Sequence, residues 1–189
     1  MNTIFSEDDV LVIVDMQEDF VNGPLGNEEA RQIVEPMAKF IKDFPGSKIF
    51  TQDTHENDYL ETQEGRNLPV VHTKYRTPGW QIVEPIKTIS DKLPANTFIK
   101  NTFGSNILYH YMSFTKPKNA YFIGVKTGIC VISNVVLTKT ASPETIVHVI
   151  EPLCACVTPE SHKTAINAMR MLQVDVIEEI PDIENHATN

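Results

Sequence analysis

Ala120-Tyr121-Phe122-Ile123-Gly124-Val125-Lys126-Thr127-Gly128-Ile129-Cys130-Val131 reads as a buried strand that stops at Gly124-Val125 and turns into a helix carrying a thiol. Such a turn delivers the Cys130 sulfur to the carboxyl end of a sheet, where open α/β folds keep their chemistry. A cysteine taken alone is most often inert core. Two further runs change that weighting: Val10-Leu11-Val12-Ile13-Val14 ends in Asp15, and Thr97-Phe98-Ile99 ends in Lys100. An acid, a base and a thiol, each at the end of an apolar strand, form a candidate catalytic constellation.

Runs of the same kind recur at 10–15, 47–52, 97–100, 119–125, 145–150 and 174–178. They are continuous rather than alternating, which predicts strands covered on both faces and therefore a parallel sheet. Helical periods fill the intervals: Glu28 to Phe44, Trp80 to Lys92, Asn106 to Ser113, Ile129 to Lys139 and Pro159 to Leu172. The last opens with Thr158-Pro159-Glu160-Ser161, an N-cap candidate with proline at the first helical position. Strand and helix in alternation predict right-handed crossovers and a three-layer α/β/α domain. The stretch from Asp53 to Gly79 reads as one long irregular loop, and such loops are usually functional.

The global numbers fit one domain spanning 1–189, with 41% hydrophobic and 22% charged residues. A net charge of −9 without a basic stripe argues against nucleic acid as a partner. No apolar stretch approaches the roughly 20 residues of a spanning helix, and the first residues lack a basic signal-peptide head. The expectation is a cytoplasmic protein with no membrane partner. Three cysteines make no disulfide framework, and Cys154-Ala155-Cys156 suits a strand exit better than a metal site.

The loop after 52 opens with Asp53-Thr54-His55 and carries His72 further on. Residues at i and i+2 of an extended segment point to one side, so Asp53 and His55 can face one ion and His72 can close the site. An Asp/His/His set with open positions suits Zn²⁺, Fe²⁺ or Mn²⁺. The alternative is an ordinary Asp-x-His turn with His72 on the surface.

These residues together resemble a known family. Val12-Ile13-Val14-Asp15-Met16-Gln17-Glu18-Asp19-Phe20, Asp53-Thr54-His55, Asn67-Leu68-Pro69-Val70-Val71-His72 with Gly79-Trp80, Lys100 before Phe103, and Gly124-Val125 ahead of Cys130-Val131 resemble the isochorismatase-like cysteine hydrolases, and within them the nicotinamidase/pyrazinamidase-type amidases. The resemblance covers nearly the whole chain. It implies a six-stranded parallel sheet in the order 3-2-1-4-5-6, with Asp15 and Cys130 on the two central strands. It also implies a catalytic trio of Asp15, Lys100 and Cys130, a cis peptide at Val125-Lys126, and an oxyanion hole from the backbone N–H groups of Lys126 and Cys130.

The activity implied is release of ammonia from a small carboxamide of the nicotinamide type through a thioester, with Lys100 lowering the thiol pKa. One divalent transition metal per chain is expected on Asp53, His55 and His72, with Glu61 or Glu64 as a further ligand. Phe20 and Trp80 are candidate walls for an aromatic ring, or ordinary core. A small amide substrate and a homo-oligomer are the expected partners. Two other readings stay open: a metal-free hydrolase of N-carbamoyl or other small amides, and a non-catalytic small-molecule-binding protein. Four residues depart from the family pattern. Gly128 stands where Asp is common, Lys126 where a small residue or a thiol is usual, Thr73 where Cys is frequent, and Arg76 where Gly is frequent. Arg76 near the pocket mouth would favour an anionic substrate.

Overall fold

The computed structural model describes residues 5–183. Six strands form one sheet: β1 Val10–Val14, β2 Ser47–Asp53, β3 Thr97–Lys100, β4 Asn119–Val125, β5 Ile146–Ala155 and β6 Asp175–Ile177. Their order is β3-β2-β1-β4-β5-β6 and every pairing is parallel. The helices are α1 Glu18–Val21, α2 Glu28–Gln32, α3 Val34–Asp43, α4 Gln63–Asn67, α5 Ile86–Ser90, α6 Asn106–Thr115, α7 Ile132–Ala141 and α8 Pro159–Met171.

Why the strands are apolar throughout follows from the layers. Successive side chains of a strand face opposite sides, so Leu11 and Ile13 pack with Met37, Phe40, Ile41 and Ile86 on one face, under α3 and α5. Val10, Val12 and Val14 pack with Leu108, Met112, Val135 and Ile166 on the other, under α6, α7 and α8. All five β1 side chains are buried, and each such aliphatic group contributes about 1.5–3 kcal/mol relative to exposure. Crossovers from β1 outward therefore run on one face and those from β4 outward on the other. The crevice at the carboxyl ends of β1 and β4 is the topological switch point, and Asp15 and Cys130 flank it.

The close approach of the two strands depends on a glycine. Gly124 pairs with Val14 at φ 121°, and a Cβ there would lie 2.2 Å from the Val14 carbonyl oxygen. β5 shifts register against β4 between Phe122 and Gly124 and runs on to Ala155, so Cys154 and Cys156 sit at its exit, as expected. The helix from 28 to 44 is broken at Ile33, whose N–H turns back to Arg31 O. The period from Trp80 to Lys92 yields only α5, which begins at Ile86 directly after Pro85, so the chain becomes α-helical only beyond that proline. The loop from Asp53 to Gly79 is less irregular than the sequence suggests: it contains a 3₁₀ turn at Tyr59–Glu61 and the helix α4, capped by Thr62 Oγ1 accepting from Gly65 N. Among the described residues no helix is long and apolar enough to cross a membrane.

Candidate active site

β1 ends at Val14, and Asp15 follows with φ 49°, a left-handed conformation that Asp tolerates better than most residues. Its carboxylate turns inward. Thr51 Oγ1 donates to Asp15 Oδ1 at 2.7 Å, and Lys100 Nζ stands 2.7 Å from Asp15 Oδ2. Lys100 closes β3 directly beside Asp53 in the sheet register. Its long side chain lies with Nζ 3.1 Å from Asp53 Oδ1 and 3.7 Å from Cys130 Sγ. All four residues are buried. The expected acid, base and thiol are thus brought together, with Asp53 as a fourth charged member.

The charges decide the protonation states. Burial pushes the Asp15 carboxyl up; Lys100 works against it, yet the net direction is upward. Burial also raises Asp53, but Lys100 and His55 more than offset this and hold it well below the usual carboxylate range. Lys100, though buried, is kept firmly protonated by Asp15, Cys130 and Asp53. For Cys130 burial is the largest influence and raises the thiol; Lys100 acts downward, as expected, but the charges of Asp15 and Asp53 add to burial and the net direction is well above the ordinary value. The resting sulfur is a thiol beside a carboxylate that is itself easier to protonate than usual.

The second cluster lies across Asp53. Donor atoms of Asp53, His55 and His72 all lie within 4.8 Å of one another, and all three residues are buried. His55 Nε2 is 3.1 Å from Asp53 Oδ2, and His72 Nε2 is 3.7 Å from it. His72 Nδ1 donates to Val70 O at 2.7 Å, which orients the ring so that Nε2 faces the cluster. His55 Nε2 is buried without a well-directed hydrogen bond. Two imidazoles and a carboxylate converging at one buried point are a donor set that fits a divalent transition metal. Glu64 Oε1 lies 3.7 Å from His55 Nε2 and 3.9 Å from His72 Nε2. Glu61 is exposed, so Glu64 is the carboxylate placed to join the set.

A pocket of about 360 Å³ joins the two clusters, lined among others by Phe20, Asp53, Glu64, His72, Lys126 and Cys130. Phe20 is a wall of it and packs against His72 with centroids 5.4 Å apart. Trp80 is not. Its indole N–H donates to Thr54 Oγ1 at 2.8 Å, its ring meets Tyr75 edge-on at 5.2 Å, and it borders a different cavity with Gln52 and Ile99.

A family model described as the isochorismatase domain matches residues 9–179. The chain belongs to the isochorismatase family. No curated protein matches it. Among solved structures, the nicotinamidase of Bacillus subtilis is 21% identical with a TM-score of 0.79, covering 90% of this chain and 99% of that one. The pyrazinamidase of Pyrococcus horikoshii in complex with zinc is 22% identical with a TM-score of 0.76, covering 91% and 99%. The yeast nicotinamidase bound to the inhibitor nicotinaldehyde is 15% identical with a TM-score of 0.76, covering 90% and 100%. At these identities the likeness is one of fold.

The isochorismatase-family turn after β4 takes an individual form here. The Val125–Lys126 peptide is cis, as the resemblance implies, and Thr127–Val131 forms a π-helical turn before α7. Gly128 leaves that turn without a carboxylate cap. Thr127 Oγ1 pairs instead with His162 Nδ1 at 2.8 Å, and Gly128 N donates to Cys156 Sγ at 3.4 Å. A Cβ at 128 would meet Ala165 Cβ at 3.3 Å and Cys156 Sγ at 3.4 Å, so α8 crowds the position where the family has an acid. Thr73 replaces the frequent Cys and donates from Oγ1 to Asp53 Oδ2 at 2.9 Å. Arg76 is exposed and lies over the Tyr75 ring at 4.9 Å, and it is not part of the pocket wall.

Two positioning residues escaped the sequence reading. Gln17 is fully buried and brackets Asp53 with its side-chain amide, donating to Asp53 O at 2.8 Å and accepting from Asp53 N at 2.7 Å. Asp19 accepts from Thr73 N at 2.7 Å, which anchors the segment carrying His72. The available signal was the placing of Gln17 and Asp19 directly after the apolar run of β1, beside buried Met16 and Phe20.

Proposed function

We propose that the chain is a cysteine-dependent amidohydrolase that releases ammonia from a small carboxamide, conversion of nicotinamide to nicotinate being the representative reaction. The observation that carries this reading is the buried group of Asp15, Lys100 and Cys130 opening onto a pocket walled by Phe20. Asp15, with its pKa raised by burial, suits a group that must both take and give a proton near neutral pH. It accepts the Cys130 proton as Sγ attacks the amide carbon. Backbone N–H groups at Lys126 and Cys130 meet the developing oxyanion, a contribution of about 3 kcal/mol per donor.

On collapse the C–N bond breaks, Asp15 returns the proton to the departing nitrogen, and ammonia leaves a thioester on Cys130. Water, deprotonated by Asp15, then attacks the acyl carbon, the C–S bond breaks, and acid and thiol are released. Lys100 stays protonated throughout and offsets the negative charge as the proton moves between Cys130 and Asp15. Asp53, His55 and His72, with Glu64, are the residues that would hold a divalent transition metal. When bound, such an ion supplies a coordination position for a lone pair of the substrate or of water.

An ammonia-release assay over a panel of small amides tests the reading. Turnover that disappears in Cys130→Ala supports it; a panel with no turnover in metal-replete protein would overturn it.

A further inference from the structure

Two lysines are buried at this site, and they are not alike. Lys100 is neutralised by Asp15 and Asp53. Lys126 is only 6% exposed, and its Nζ donates to the Phe20 carbonyl at 3.1 Å. An ammonium has three donors, and among the described residues no carboxylate forms an ion pair with this one. Burial draws Lys126 down to about 8 against the opposing pull of the Glu29 carboxylate, so it is still mainly protonated at neutral pH. An unpaired buried ammonium is costly unless something completes its shell. Lys126 lines the same pocket as Cys130 and Phe20, alongside Asn27 and the loop at Pro24–Gly26.

We propose that Lys126 is a specificity-determining residue whose ammonium grips a carboxylate on the substrate, so that the chain prefers small amides carrying an anionic group. This rests on the amide-hydrolase reading and narrows its substrate. The lining of the pocket supports it: among the described residues that wall it, Lys126 is the one lysine or arginine, and it stands beside Phe20, Ile129 and Cys130. Arg76, the other candidate for this task, faces solvent. The carboxamide carbon is held at Cys130 while the anionic group is held by the side chain of Lys126, on the same turn.

The test compares succinamate, the monoamide of a small dicarboxylic acid, with neutral nicotinamide in wild type, Lys126→Met and Lys126→Arg. The readout is the ratio of their kcat/KM values. The ratio is expected to favour succinamate in wild type, to fall by about tenfold or more in Lys126→Met, chiefly through KM, and to be partly restored in Lys126→Arg. A ratio that Lys126→Met leaves unchanged overturns the proposal. Calorimetric binding of succinate to Cys130→Ala, with and without Lys126→Met, separates this idea from the reading beneath it. If wild type hydrolyses no amide yet succinate binding falls about tenfold or more on removing the ammonium, the hydrolase reading fails and the Lys126 assignment stands. If succinate does not bind, or binds equally to both proteins, the assignment is wrong whatever the hydrolysis shows. Should Lys126→Met fail to fold, Lys126→Gln is read in the same assays with the same criteria.

Discussion

Asp53 shares its carboxylate between two clusters: Lys100 Nζ stands 3.1 Å from Oδ1, while Oδ2 faces His55 and His72. The thiol site and the candidate metal ligands are therefore coupled electrostatically through these two side chains. Removing either one acts on both clusters, with signs that can be worked out.

Asp53→Asn is expected to abolish metal binding, read by elemental analysis, and, with variant and wild type both compared metal-free, to lower the thiol pKa. The Asp53 charge pushes Cys130 up, so its loss shifts the pH profile of iodoacetamide labelling downward. Lys100→Met shifts it upward, because Lys100 is the group that opposes burial there. Wild-type labelling is expected to be slow at neutral pH and to rise only above the ordinary thiol value of about 8.5. Shifts of the same sign in the two variants would contradict the coupling.

In the proposed mechanism Asp15 must be ionised to accept the thiol proton, so it is expected to limit activity at acid pH. Its pKa is raised by burial, so kcat/KM is lost as pH falls through a value above the usual carboxylate range of about 4. Lys100→Met moves that acid limb higher still. The same variant strands buried carboxylates without their partner and is expected to cost about 3–5 kcal/mol in urea unfolding.

Gln17→Leu removes both amide contacts to the Asp53 backbone. Metal affinity is expected to fall about 10–100-fold, as for other residues that orient a ligand, while far-UV circular dichroism is unchanged. Equal affinity in competition with a chelator would show that Asp53 needs no such support.

Gly124→Ala places a Cβ against the Val14 carbonyl at a φ of 121°. Strained φ alone costs about 1–3 kcal/mol, so a loss of about 3 kcal/mol or more is expected in urea unfolding. Activity should fall with it, since Asp15 follows Val14 and the Cys130 turn follows β4.

Much of this arrangement is legible in the chain because strand ends are. Asp15, Lys100 and Cys130 are each reached by reading an apolar run to its end, and the parallel sheet follows from runs that are apolar at every position. The i, i+2 relation of Asp53 and His55 is equally local. What escaped depends on tertiary neighbours. Only Gly65 of α4 is buried, so that helix carries no apolar period. Trp80 is drawn from the pocket by Thr54, which satisfies its indole N–H, and Glu64 is preferred over Glu61 because α4 turns it toward the two histidines. The direction of the Cys130 shift is a balance between burial and Lys100 that spacing cannot weigh. Lys126 looks like a solvent-facing lysine until the loop carrying Phe20 and Asn27 is folded over it.

The central claim is that Cys130 is the nucleophile, and the most direct measurement is intact-protein and peptide mass spectrometry on enzyme acid-quenched during turnover of an amide substrate. The account predicts an acyl adduct, of the substrate mass less ammonia, located on Cys130, together with a fall in turnover of about 10³-fold or more in Cys130→Ala. Turnover by Cys130→Ala close to that of wild type, with no adduct on Cys130, would contradict it.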